Sequence, residues 1–182
     1  ALLRCHPISI ERGSDSWAAL LRGVHALSAD GQWIYIAEHR DVEGEQSGNQ
    51  GPQAWLRRLP VRGGTPETIV EWPARIYAIH PDAEGTGVFI ATDFGAPHND
   101  VWHVPLIDPG RDARKLTHGQ ADEDAPAISR DGSTLIYCDN TEGATALVRH
   151  DLASGERRAL SIQSIDFPEP AGPLRLRVMV RD

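Results

Sequence analysis

Few of the chemically capable residues in this chain are spaced for a reaction. Its histidines stand at positions 6, 25, 39, 80, 98, 103, 118 and 150. None forms a His-x-His or His-Glu-x-x-His pair, the spacings that bring two imidazoles to one metal ion. His98 and His103 come nearest, across a loop–strand junction, and read as solvated loop histidines rather than shared ligands. No Gly-x-Ser-x-Gly occurs to hold a serine nucleophile on a strained strand-to-helix turn. Gly63-Gly64 is followed by no helix, so it is a strand turn and not a phosphate cradle. Cys5 and Cys138 make no paired-thiol motif; Cys138, inside an apolar run, acts as a small hydrophobe. The residues therefore predict no catalytic set, no metal site and no cofactor.

One acidic cluster has a position worth weighing. Asp122-Glu123-Asp124 lies just before Pro126 and the start of a strand. The cluster has no counterpart at the comparable places, Arg22-Gly23-Val24-His25 and Arg75-Ile76-Tyr77, so no ring of carboxylates is predicted. Its side chains could hold a cation or a basic peptide, or simply solvate a connection.

The elements that would position such residues come from a repeat. Leu27-Ser28-Ala29-Asp30-Gly31-Gln32-Trp33-Ile34-Tyr35-Ile36 returns as Ile128-Ser129-Arg130-Asp131-Gly132-Ser133-Thr134-Leu135-Ile136-Tyr137. A looser copy, Ile79-His80-Pro81-Asp82 and then Gly87-Val88-Phe89-Ile90, lies between them. The aspartates at 30, 82 and 131 are 52 and 49 residues apart. A period of this size means stacked supersecondary units, none able to bury its apolar face alone. Asp30-Gly31, Asp82 and Asp131-Gly132 are read as structural turns, because Gly accepts positive φ and Asp bonds its local backbone.

After each turn comes a short apolar run: Trp33 to Ala37, Val88 to Ala91, Leu135 to Cys138. Apolar residues at consecutive positions predict strands buried on both faces. A third strand follows in each unit, at Trp55 to Leu59, Val101 to Leu106 and Leu147 to Leu152. It ends in turn chemistry at Arg62-Gly63-Gly64, Asp108-Pro109-Gly110 and Ala153-Ser154-Gly155. A fourth closes the unit, near Thr68-Ile69-Val70, Lys115-Leu116-Thr117 and Ala159-Leu160-Ser161. The predicted fold class is all-β, a β-propeller of four-stranded antiparallel blades with about three full blades plus flanking strands. In that arrangement Asp122, Glu123 and Asp124 fall near the mouth of the central channel.

These residues resemble the TolB-like β-propeller repeat. Pro126-Ala127-Ile128-Ser129-Arg130-Asp131-Gly132, running through Asp151-Leu152-Ala153-Ser154-Gly155 to Leu160-Ser161, follows its pattern. Asp100-Val101-Trp102-His103-Val104-Pro105-Leu106 with Arg114-Lys115-Leu116-Thr117 matches its second half. Ala29 and Arg130 stand where that repeat has Pro, and the middle copy carries His80 and an insertion. The resemblance covers residues 22 to 161. It implies a ring of six or seven blades, of which this chain looks like an excerpt whose bare terminal faces would favour association. It also implies a periplasmic or secreted location, with a cytoplasmic one left open.

Net charge is −8, from 18 Lys and Arg against 26 Asp and Glu. That balance excludes the concentrated basic face that nucleic acid demands. No stretch approaches the roughly 20 apolar residues of a membrane span. The expected partner is a protein or the remaining blades of the same propeller, with no nucleic acid and no membrane span. After Ser161 the period breaks at Pro168-Glu169-Pro170-Ala171-Gly172-Pro173. Leu174, Leu176, Val178 and Val180 then alternate with Arg175, Arg177, Met179 and Arg181, the period of a half-buried strand. Residues 1–165 are expected to form the propeller segment, and 166–182 a Pro-rich connector with the first strand of a following domain. Two functions stay open. One is a non-catalytic scaffold for protein or ligand interaction. The alternative, implied by the resemblance, is the amino-terminal propeller of a multidomain hydrolase, a metal-dependent amidohydrolase or an α/β-hydrolase peptidase, with its catalytic domain beyond Asp182.

Overall fold

A computed structural model describes residues 24–40, 53–140 and 145–160. The connector, the alternating tail, Cys5 and the boundary at 165 lie outside these residues. Strands β1 (Val24–Leu27), β2 (Trp33–Arg40), β3 (Gln53–Pro60) and β4 (Glu67–Trp72) form the first four-stranded sheet in that order. The second contains β5 (Ile76–Pro81), β6 (Gly87–Thr92), β7 (Asp100–Pro105) and β8 (Arg114–Lys115). The third contains β9 (Glu123–Ile128), β10 (Thr134–Asp139), β11 (Ala146–Asp151) and β12 (Arg157–Leu160). Every pairing is antiparallel between sequence neighbours. The leading strands β1, β5 and β9 lie against one another in turn. That is the arrangement of blades around a propeller axis, with first strands innermost.

The inward reversals repeat atom for atom. Ser28 Oγ donates to Asp30 Oδ1 at 2.5 Å, Gln32 N donates to the same oxygen at 2.9 Å, and Trp33 N donates to Ser28 Oγ at 2.9 Å. In the third blade Ser129 Oγ and Ser133 N donate to Asp131 Oδ1, and Thr134 N donates to Ser129 Oγ, the matching bonds. Gly31 and Gly132 adopt φ of 69° and 71°, where a side chain would be strained. The serine and backbone donors hold both Asp30 and Asp131 below the usual carboxylate range. The insertion in the middle copy changes the device: Asp82 accepts from Thr86 N and Thr86 Oγ1 at 2.9 and 2.7 Å.

Ile34, Ile36, Val88, Ile90, Leu135 and Tyr137, equivalent in the repeat, are all buried. Between blades one and two lie Tyr35, Ala37, Leu56, Val70 and Trp72 against Ile76, Val88, Ile90 and Val104. Between blades two and three lie Phe89 and Val101 against Leu135, Tyr137 and Val148. All six residues of β6 are buried, as expected for a sheet with a blade on each side. The third blade departs from the expected double burial. Leu135 and Tyr137 are buried, but Ile136 and Cys138 on the opposite face are only half-buried. Alternation returns where one face of a strand is less covered than the other.

Two local differences have clear causes. The fourth strand of blade two, expected over Lys115-Leu116-Thr117, stops at Lys115. Thr117 Oγ1 instead accepts from Val101 N at 2.8 Å, and Leu116 N donates to Val101 O. The segment from Asp108 to Gly110, expected as a turn, opens a four-residue helix, α1 (Pro109–Asp112). Proline at its start supplies a helical φ and lacks the N–H that would go unpaired there.

Candidate functional site

The end of the blades opposite the Ser-x-Asp-Gly turns carries a polar rim. Its residues come from the strand ends and connections leading into the inner strands. Three residues beyond the equivalent positions Ile36, Ile90 and Tyr137 stand His39, Asp93 and Asn140. Each is a hydrogen-bonding residue just past the apolar run, and each ties down an inner strand. His39 Nε2 accepts from Ile76 N at 3.0 Å, joining blade one to the start of β5. Asp93 Oδ1 accepts from Arg75 N at 2.6 Å, and its Oδ2 accepts from the Tyr77 hydroxyl at 3.1 Å. Asn140 N donates to Asp122 O at 3.1 Å.

Tyr77 is the exposed centre of this rim. It sits on inner strand β5 and keeps 39% of its surface exposed. Partial burial raises its hydroxyl above the usual tyrosine value, and the carboxylates of Asp93 and Asp122 add to that while Arg75 opposes it. The protonated hydroxyl therefore persists as a donor to Asp93.

The acidic triplet divides three ways. Asp122 Oδ1 accepts from Asn99 N at 3.0 Å, stitching the approach to blade three onto the β6–β7 loop. Glu123 turns inward and is fully buried. Its Oε2 accepts from Gly119 N at 3.1 Å, and Arg157 approaches its Oε1 at 3.9 Å. Asp124 is half-buried, and its Oδ1 accepts from Ala125 N at 2.6 Å. Ala125 has φ of 52°, beside an irregularity in the β9–β10 register. So Asp122 shares the rim with Tyr77 and Asp93, while Glu123 belongs to the packing between blades.

His98 and His103 are directed to opposite faces of blade two. His98 Nε2 lies 3.7 Å from the buried carboxylate of Asp100, which also meets Lys115 Nζ at 2.7 Å. The His103 ring lies 5.0 Å from the Phe89 ring on the face toward blade three. Among the described residues no group of three His, Cys, Asp or Glu could hold a metal ion, and no helix is long and apolar enough to cross a membrane.

Sequence reasoning missed Tyr77, Asp93 and Asn99. The available signal was positional: His39 and Asp93 each follow an apolar run at the same offset, which singles out a strand-end acceptor.

Fold and rim together define an arc of three β-propeller blades with a polar edge at the ends of its inner strands. No protein-family model matches the sequence, and no curated protein matches it. Solved structures do match, and they share the β-propeller fold, TolB among them. TolB from Acinetobacter baumannii is 14% identical with a TM-score of 0.59, over 80% of this chain and 33% of that one. The nidogen/laminin complex is 16% identical with a TM-score of 0.57, over 76% of this chain and 47% of the other. The AtxE2 isopeptidase is 14% identical with a TM-score of 0.56, over 76% and 28%. Identities this low speak for the fold alone, since one propeller scaffold carries many roles. The chain spans less than half the length of each of these structures.

Proposed function

We propose that this chain is a non-catalytic propeller segment whose inner-strand rim binds a positively charged segment of a partner protein. The observation that carries the reading is Tyr77, exposed on an inner strand and hydrogen-bonded to Asp93, with the charge of Asp122 also acting on it. A hydroxyl fixed by one carboxylate with a second nearby offers a cationic side chain an aromatic body and acceptors of opposite charge. The overall charge of −8 favours the encounter. Asp124, at the start of β9, adds to the same side. The nidogen/laminin structure, a complex of proteins, shares this fold and agrees with such a role. A periplasmic location goes with this reading by resemblance to TolB.

A second reading is that the segment is the propeller of a multidomain hydrolase, where the same rim would filter or position a substrate. The likeness to an isopeptidase, of which the chain covers only 28%, favours it. Both readings use the rim, so one measurement tests their shared premise. A fluorescent Lys-rich decapeptide is titrated into the chain and followed by anisotropy, beside a Glu-rich decapeptide of equal length. Selective binding of the Lys-rich peptide, weakened about tenfold or more by Asp93→Asn with Asp122→Asn, is expected from loss of charged contacts. Equal affinity for both peptides, or no effect of the double substitution, would defeat the proposal. Metal-dependent turnover of an amide or ester by the chain itself would defeat its non-catalytic part.

A further inference from the structure

Three histidines converge on one inter-blade junction. On blade two, His80 of β5 and His103 of β7 each stand directly opposite Phe89 of β6. The three side chains therefore share one face, the face on which Phe89 packs against Leu135 and Tyr137 of blade three. On blade three, His150 stands opposite Leu135 and so looks back at blade two. It is 6% exposed, and its ring lies edge-on to Tyr137 at 6.4 Å. Gly87 leaves room for His103, since a Cβ there would lie 2.5 Å from its Nε2.

The charges around these rings favour the neutral form. Arg114 stands opposite His103, with Asp82 the nearest opposing carboxylate. Arg157 stands opposite His150, with Asp151 beside it. Glu123, the buried carboxylate of β9, accepts from Gly119 N at Oε2, while its Oε1 has no hydrogen-bond partner and lies 3.9 Å from Arg157. His80 faces the Phe89 ring, and its burial alone acts on it. Arg157 also reaches across the junction to Leu116 O at 3.4 Å. Protonation would thus place up to three new cations against an apolar seam whose edge already carries two exposed guanidinium groups, Arg114 and Arg157.

We propose that the junction between the second and third blades is an acid-released joint, in which protonation of His80, His103 and His150 loosens the third blade from the first two. All three imidazoles are held below their usual value, chiefly by burial. The folded state then binds fewer protons than the unfolded one near the histidine range. The stabilisation is complete above the unfolded value of about 6.5 and is lost as pH falls through it toward the lower folded values. The first junction has its own titratable contacts, Ile76 N donating to His39 Nε2 and His98 Nε2 3.7 Å from the Asp100 carboxylate. Among the described residues it has no such group of imidazoles set against its apolar centre, so its response is smaller.

Hydrogen exchange of the 182-residue chain, read by mass spectrometry at pH 7.5 and 5.0 and corrected for intrinsic rates, tests the joint. Protection over β9 to β12 should fall about tenfold or more, the effect of one pKa unit, while β2 to β4 lose less than about threefold. The triple variant His80→Gln, His103→Gln, His150→Gln should lose that difference. Equal loss across all blades, no loss in blade three, or a response that survives in the triple variant overturns the proposal. Should the variant not fold, titration of the wild-type imidazoles by NMR decides instead. Folded values below 6.5 for all three support the joint, and a value at or above 6.5 for any of them overturns it.

Discussion

The two inter-blade junctions of this molecule use different materials for the same task. Between blades one and two the outer part of the seam is aromatic. Trp72 stacks on Phe94 at 4.7 Å, and Trp102 meets both rings edge-on at 5.5 and 5.3 Å. The polar groups there include the buried carboxylate of Asp100, which meets Lys115 Nζ at 2.7 Å. Between blades two and three the aliphatic centre is smaller, and His80, His103, His150, Glu123 and Arg157 surround it. Aromatic packing itself does not respond to pH. Buried titratable groups give a seam whose strength depends on their charge state. Successive blades of one array therefore need not be held equally under all conditions, even though their strands and turns repeat.

The strongest test of the aromatic seam is Trp72→Ala. The ring is 6% exposed and touches two others, so truncation should cost about 3–5 kcal/mol in urea unfolding, the range for a core Trp or Phe. The cost should be equal at pH 7.5 and pH 5.0. Less than about 1 kcal/mol would mean that the three rings do not hold the blades together.

Leu135→Ala is the corresponding lesion in the second seam. Leu135 is fully buried against blade two, and its loss should cost about 2–5 kcal/mol at pH 7.5. Unlike the Trp72 lesion, this one should become cheaper at pH 5.0, because a released joint no longer buries the leucine as completely. A cost that is the same at both pH values would count against any difference between the seams.

Alkaline titration separates them from the other side. Tyr137 is pushed up to about 12, first by burial, with Arg157 opposing and the carboxylates of Glu123 and Asp139 adding to the rise. The folded state keeps its phenol proton longer than the unfolded chain. Its stabilisation is present below the unfolded value near 10 and is lost as pH rises from there toward 12. The loss should amount to about 1–2 kcal/mol by pH 11.5, and Tyr137→Phe should remove it. Tyr35, in the first seam, is also raised by burial with Arg58 opposing, but less far, because it lacks a partner like the buried Glu123. Tyr35→Phe should therefore flatten the alkaline limb less, and the reverse order would mean that the seams have been misassigned.

What was legible in the sequence was whatever is decided locally. Trp33 to Ala37 and Leu135 to Cys138 announce strands through their own side chains, and Ser28-Ala29-Asp30-Gly31 carries its entire hydrogen-bond scheme within a few residues. The blade count follows from repetition of these local statements. The rim was hidden because it is assembled across chain distance. Asp93 meets Tyr77 only once β5 and β6 have paired, and Asp122 meets Asn99 only once blade three stands beside blade two. The triplet at 122–124 reads as one acidic patch in the chain. The strand start, with Ala125 at positive φ, sends Glu123 into the seam instead. The histidines were visible as residues but not as a group, because their common face is set by register with Phe89 and Leu135.

The smallest effect belongs to the turns, and it supplies the baseline for the comparison. Gly31 and Gly132 hold the same conformation, φ 69° and 71°, and a Cβ at either would meet nothing within 4 Å. Replacement by Ala therefore adds only the strain of a left-handed residue, about 1 kcal/mol. Neither turn enters a seam, so Gly31→Ala and Gly132→Ala should cost the same as each other at pH 7.5. Acidification leaves that equality intact only if blades one and three still unfold together. A released third blade would unfold on its own at pH 5.0. Gly132→Ala should then shift an early transition by monitoring β10, while Gly31→Ala shifts only the later one. Coincident shifts at pH 5.0 would show that the array remains a single cooperative unit, and that the difference in seam chemistry does not reach its folding.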